Sequence, residues 1–274
     1  MSRHAKTDEL INAAKIILAE ESPMTLRQVF YQLVSRQVLE NSRSAYQALS
    51  NALVDARREG IIPWEWLEDR LRQVRRVGMW SDLADFAETC CQAYRRDVWP
   101  TQPRLVEAWL EKDALSGLFG YALEPYGVTL NVGRGYDGWD SIHRAARRYG
   151  NGQDVTVLYF GDFDPSGEDM VRSLKERLAE CGSEPEIVKV ALNEADIERY
   201  DLPPNCTKQT DKRRADFVKR YGDRCVELDA LPAAVLRDRL VTEVEKRLDM
   251  AALRTVLRKE KADRRRLRAM LASS

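Results

Sequence analysis

The chain has 274 residues, 44 Lys/Arg against 44 Asp/Glu, and five cysteines (Cys90, Cys91, Cys181, Cys206, Cys225) with no CxxC spacing. No apolar run is long enough to span a bilayer, the start lacks the apolar core of a secretory signal, and the odd, scattered cysteines read as reduced thiols rather than a disulfide or zinc framework, so a cytoplasmic protein is expected. The zero net charge conceals a gradient: residues 101–205 carry 11 basic against 19 acidic residues, and residues 206–274 carry 19 against 11. An acidic middle suits a bound cation, and a basic end suits a polyanion or a solvated helix.

Residues 5–21 repeat apolar positions at helical spacing (Leu10, Ile11, Ala14, Ile17, Leu18). Pro23 interrupts them, and Thr25 is placed to cap a helix from Leu26 to about Ser35. Asn41 or Ser42 begins a third helix running to Arg58 and closed by Gly60. The short aromatic stretch Ile61–Leu67 then reads as a small β wing. Three helices and a wing describe a winged helix-turn-helix over residues 1–99. Its recognition helix, residues 42–59, offers Arg43, Gln47, Asn51, Arg57 and Arg58 to DNA. An ordinary helical bundle fits the same pattern. A basic stretch (Arg70, Arg72, Arg75, Arg76) and a mostly helical connector lead to Pro100 and Pro103, where the rhythm changes.

From residue 100 to 274 strands and helices alternate. Strands are expected near 104–110, 127–132, 155–161 and 186–191, with helices near 114–124, 137–148, 167–180 and 193–199. That alternation predicts a mostly parallel sheet with helices on both faces, an α/β unit following an all-α one. Residues 201–224 read as irregular, and two helices follow from Leu231.

The chemistry sits at strand ends. The apolar run Val155–Phe160 ends in Gly161-Asp162-Phe-Asp164-Pro-Ser-Gly167, and Leu105–Leu110 ends in Glu111-Lys112. Carboxylates converging at the C-terminal edge of a sheet make a hard-oxygen site for Mg²⁺ and suggest phosphoryl transfer. Residues i and i+2 leaving a strand can reach one ion. Lys112 and Arg134, the latter in the turn Gly133-Arg-Gly-Tyr136, could each meet phosphate oxygens. Lys112 could equally face solvent. Glu227 and Asp229 read as a cap for the helix after Pro232, or as a secondary metal contact.

The order Glu111, Gly-rich turn, Asp162-x-Asp164 resembles the Toprim domain of type IIA and IIB topoisomerases, primases and related nucleases, over roughly residues 103–195. Upstream, Met24-Thr-Leu-Arg27-Gln-Val-Phe-Tyr31-Gln32 resembles the segment bearing the DNA-cleaving tyrosine in topoisomerase VI A subunits and the meiotic double-strand-break transesterase. That family joins a winged helix to a Toprim domain in this order. The chain is shorter than those subunits, looks like a compact "mini-A" relative of the phage or prophage kind, and has Phe30 where many carry a second tyrosine. The resemblance implies Tyr31 as nucleophile, Arg27 as its phosphate-stabilising neighbour one helical turn away, and Glu111, Asp162 and Asp164 as ligands of Mg²⁺ (or Mn²⁺), with Glu111 an alternative general acid/base. It further implies double-stranded DNA as substrate, a location on the nucleoid, and a homodimer in which the tyrosine of one copy meets the acids of the other. Strand passage would need a separate GHKL-type ATPase subunit, because this chain has no P-loop. Three other readings use the same residues: a metal nuclease attacking with water, a DNA-binding protein without catalysis, and a phosphatase with Asp162 as nucleophile.

Overall fold

The computed structural model describes residues 5–68, 77–133, 138–150, 152–203 and 211–272. Three helices come first, α1 (Ala5–Glu21), α2 (Leu26–Ser35) and α3 (Arg43–Arg58). Thr25 caps α2 as its sequence predicts: the Thr25 side chain accepts from the Gln28 backbone N–H, and the Gln28 side chain accepts from that of Thr25 at 2.7 Å. Ser42 caps α3 with one bond, its side chain accepting from the Ala45 backbone N–H at 3.2 Å. The apolar stripes of all three close on a common core of Ile11, Ile17, Leu18, Val29, Leu33, Leu49 and Leu53.

The expected β wing differs. Residues Trp64–Trp66 form a 3₁₀ turn, and Leu67 makes only a single parallel bridge to Met24. Arg57 accounts for it, lying 4.3 Å over the Trp64 ring and donating to the Trp64 carbonyl at 2.9 Å, which folds the segment back onto α3.

After α4 (Leu83–Ala93) the chain enters a four-stranded parallel sheet: β1 (Leu105–Leu110), β2 (Thr129–Val132), β3 (Val155–Phe160) and β4 (Glu186–Ala191), in the order β2-β1-β3-β4. The fold is therefore mixed α/β, a parallel sheet combined with a helical unit. Period-two alternation splits the central strands. Val106, Ala108, Leu110, Leu158 and Phe160 pack on α5 (Ser116–Leu123) and α10 (Ala233–Glu245), while Trp109, Val157 and Tyr159 pack on α6 (Trp139–Tyr149) and α7 (Pro165–Glu180). β1 leads outward to β2 and β3 leads the other way to β4, so the chain reverses direction between β1 and β3. That is where a doubly wound sheet opens a crevice at its C-terminal edge.

Two boundaries shift for identifiable reasons. α7 begins at Pro165, ahead of the expected Gly167, because Asp164 serves as N-cap and Pro at the first helical position needs no N–H partner. The region expected to be irregular contains α9 (Arg214–Tyr221), anchored by Phe217 and Tyr221 against Phe163 at 5.3 and 5.1 Å. α8 (Glu194–Arg199) follows β4, and the chain ends with α11 (Met250–Ala272), which lies on α4. No described helix is long and apolar enough to cross a membrane.

Candidate functional site

The C-terminal ends of β1 and β3 deliver Glu111 and Asp162 side by side. Glu111 Oε2 accepts the backbone N–H of Asp162 at 2.9 Å. Gly161 makes this possible: a Cβ there would lie 2.6 Å from both Glu111 Oε2 and the Tyr159 ring. Asp162 turns its own carboxylate the other way, with Oδ1 accepting from the Leu228 N–H at 2.8 Å and Oδ2 paired with Lys112 Nζ at 3.0 Å. Asp164 caps α7, accepting from the Gly167 N–H at 2.6 Å. Gly167 is equally constrained, since its Cβ would stand 2.3 Å from the Asp162 carbonyl oxygen. Gly167→Ala is therefore expected to push the Asp162–Asp164 turn out of place and cost about 1–3 kcal/mol of overpacking, read as a lower urea midpoint. Lys189, on β4, holds the turn from beneath by donating to the Asp162 carbonyl at 3.1 Å and to Glu168 at 2.6 Å.

Lys112 connects this edge to the N-terminal helices. It is buried among Asp162, Glu227 (2.7 Å) and Asp229 (3.4 Å) rather than facing solvent. Glu227 also receives Arg27 Nη2, and Asp229 receives Arg27 Nε at 3.0 Å. Tyr31 lies beside this cluster, with the Arg27 guanidinium 5.5 Å from its ring centre and Glu227 close enough to act on its phenol. Backbone contacts lock α2 in place, for Gln32 Nε2 donates to the Leu231 carbonyl at 3.2 Å and Ser35 Oγ to that of Ala230 at 3.1 Å. Glu227 and Asp229 are thus the link between the two units rather than a helix cap.

The charges respond to this crowding. Burial pushes the Tyr31 phenol well above its ordinary range, and Glu227 adds to the effect. Burial disfavours the charge on Glu227, but Lys112 and Arg27 outweigh it and hold the carboxyl down at about 2. Burial likewise opposes the charge on Lys112, and Asp229, Asp162 and Glu227 more than offset it. Asp162 is pushed up to about 7, mainly by burial, with Lys112 opposing and Glu111 reinforcing the shift. Burial also raises Glu111, and Asp164 contributes to that rise.

A pH dependence follows. The folded chain keeps the Asp162 proton up to about pH 7, whereas an unfolded aspartate releases it near 3.8. The folded state therefore binds the extra proton, and this group makes stability fall as pH rises through that window. Glu227 acts in the opposite sense but lower, its contribution being lost only as pH falls from about 4.5 towards 2. Denaturant titrations of the metal-free protein between pH 4.5 and 7.5 are expected to show the decline, and Asp162→Asn to flatten it.

Of the residues singled out in the sequence, Tyr31, Arg27, Lys112, Glu111 and Asp162 meet in one connected network, with Asp164 on the adjoining turn. Among the described residues no three His, Cys, Asp or Glu side chains form a preassembled metal-binding set. Arg134 lies outside the described residues. Arg43, Gln47 and Arg58 are exposed on α3, where Gln47 donates to Asn51 at 3.1 Å, while Arg57 is drawn into the Trp64 turn. Within its own chain Tyr31 lies near Glu227 and Asp229, not among Glu111, Asp162 and Asp164. Lys189 was missed because a single lysine in a strand carries no pattern that distinguishes it. No known protein-family model and no curated protein matches the chain.

Proposed function

We propose that this chain is a Mg²⁺-dependent DNA-cleaving transesterase of the type IIB topoisomerase A-subunit kind, with α1–α3 acting as a winged-helix-type unit and the parallel sheet as a Toprim unit. One observation carries the reading: Arg27, which lies against the Tyr31 ring, shares Glu227 with Lys112, and Lys112 in turn pairs with Asp162 at the sheet edge. A nucleophile candidate, two phosphate-binding cations and the strand-end acids thus come from segments up to 135 residues apart, counted from Arg27 to Asp162.

In the reaction the Tyr31 oxygen forms a bond to phosphorus while the bond to one deoxyribose oxygen breaks. That oxygen leaves as an alcohol, and a phosphotyrosine remains. The phosphodiester is conserved in the new linkage, so no nucleotide or oxidant is consumed. Arg27 and Lys112 hold the phosphate oxygens. Glu111, whose carboxyl is raised by burial, takes the general acid/base role. The donor chemistry of Glu111, Asp162 and Asp164 fits a hard divalent cation, because they are all oxygen ligands and, beyond burial, Asp164 adds to the rise of Glu111 and Glu111 to that of Asp162. Held by those three, Mg²⁺ or Mn²⁺ would supply charge neutralisation at the phosphate. Arg43, Gln47 and Arg58 are the proposed groove and backbone contacts to double-stranded DNA on the nucleoid. A homodimer would deliver one tyrosine to each strand, and a separate GHKL-type ATPase would be needed for strand passage.

The burial of Tyr31, at 8% exposure, favours one second reading, a nuclease that uses water at the same acids. Supercoiled plasmid incubated with the protein and Mg²⁺ or Mn²⁺, then denatured with and without protease, separates the two. Cut DNA that enters a gel only after protease supports the transesterase. Cut DNA that runs freely without it supports the nuclease, and uncut DNA overturns both.

A further inference from the structure

We propose that Glu227 is an internal stand-in for phosphate: its carboxylate fills an anion site formed by Arg27 and Lys112 beside Tyr31, and a phosphate group of the ligand must displace it. Arg27 Nη2 and Lys112 Nζ converge on the same oxygen, Glu227 Oε2, the latter at 2.7 Å, and the Tyr31 ring lies against the Arg27 guanidinium. A guanidinium and an ammonium directed at one anion form a donor set that suits a tetrahedral phosphate oxyanion.

Burial identifies Glu227 as the exchangeable partner. The Asp229 side chain is fully buried and Asp162 is 11% exposed, but Glu227 is 30% exposed and lies beside the 44% exposed Arg27. Asp229 grips Arg27 through Nε, so the guanidinium stays oriented when its Nη2 edge is given up. The backbone on either side of Glu227 is pinned as well. Val226 exchanges two hydrogen bonds with Phe163 at 2.9 Å, and the Leu228 N–H is held by Asp162 Oδ1. Glu227 can therefore leave by rotating its side chain, with no shift of the turn that locks α2. The idle protein keeps these two cations occupied and excludes stray anions. The inference deepens the proposed reading by naming the chemical group the site takes up, and it does not depend on whether cleavage follows.

The test is calorimetric titration of the full chain with inorganic phosphate, and separately with a short duplex oligonucleotide. Glu227→Gln keeps the shape and removes the charge, and Glu227→Ala removes the group. Both are expected to bind inorganic phosphate about tenfold or more tightly than the wild type, because the internal competitor is gone. Adding Arg27→Gln to Glu227→Gln is expected to abolish the gain. A matching gain for the duplex assigns the site to a backbone phosphodiester, and a gain for inorganic phosphate alone assigns it to a free phosphate. Equal or weaker phosphate binding by the folded variants overturns the proposal. So does failure of both to fold, since a carboxylate that must leave cannot be one the fold requires. Plasmid cleavage by the wild type is scored independently, so loss of the transesterase reading and loss of the phosphate site give different results.

Discussion

Tyr31→Phe is expected to abolish every covalent protein–DNA product in the plasmid assay while leaving the chain folded. Removing the nucleophile of a covalent mechanism lowers turnover by at least about 10³-fold, because the remaining groups can orient the phosphate but cannot form the intermediate. The structural cost is small by comparison. The variant loses only the hydroxyl and keeps the ring in its place against Phe30, 5.3 Å away. Circular dichroism and a thermal melt should therefore resemble the wild type. If cutting continues at an unchanged rate with free DNA ends, water is the nucleophile and Tyr31 is a core aromatic. The raised phenol adds a kinetic expectation: burial and then Glu227 hold its proton on, so attack should wait until that carboxylate is displaced and cleavage should lag behind DNA binding.

Lys112→Met is expected to cost stability rather than chemistry alone. The lysine is 13% exposed and its ammonium is shared by three carboxylates, so an apolar replacement leaves Asp162, Glu227 and Asp229 crowded without their common counter-charge. Breaking a buried ion-pair network from one side costs about 3–5 kcal/mol. For a chain of this size that corresponds to a fall of roughly 5–9 °C in Tm. Asp229 is the most exposed to this loss in energetic terms, since its buried Oδ1 accepts no hydrogen bond and has only Lys112 at 3.4 Å. Adding Asp229→Asn to Lys112→Met should recover part of the loss, and the double-mutant cycle measures the coupling. A drop below about 1 kcal/mol for Lys112→Met would mean that Arg27 alone carries the network.

Local signals were legible and long-range ones were not. The helical period of residues 5–21, the Thr25 N-cap and the apolar runs of β1 and β3 act within a few residues, and each element lies where its pattern put it. Glu111 and Asp162 were readable because they stand one and two residues past the end of an apolar strand, which sets them at the C-terminal edge of the sheet. Glu227 and Asp229 were not. Their partners Lys112 and Arg27 lie 115 and about 200 residues away, and an ion pair between distant segments imposes no period on either. A local reading could see only two acids before Pro232 and assign them to a helix end. The aromatic stretch Ile61–Leu67 misled for a related reason. Its strand-like composition yields to Arg57 stacking on Trp64, a cation–aromatic contact that propensity does not encode.

The pairing of Arg27 with Asp229 spans 202 residues, and this sets an order of events at the ribosome. At about 5–20 residues per second, Asp229 follows Arg27 by roughly 10–40 s. Through that interval the helical core of α1–α3 can form, but the face of α2 carrying Arg27 and Tyr31 has no Glu227 to cover it. The nascent chain thus passes through a stage in which its phenol and guanidinium are open to any polyanion nearby, and synthesis of the last fifth of the protein closes that stage.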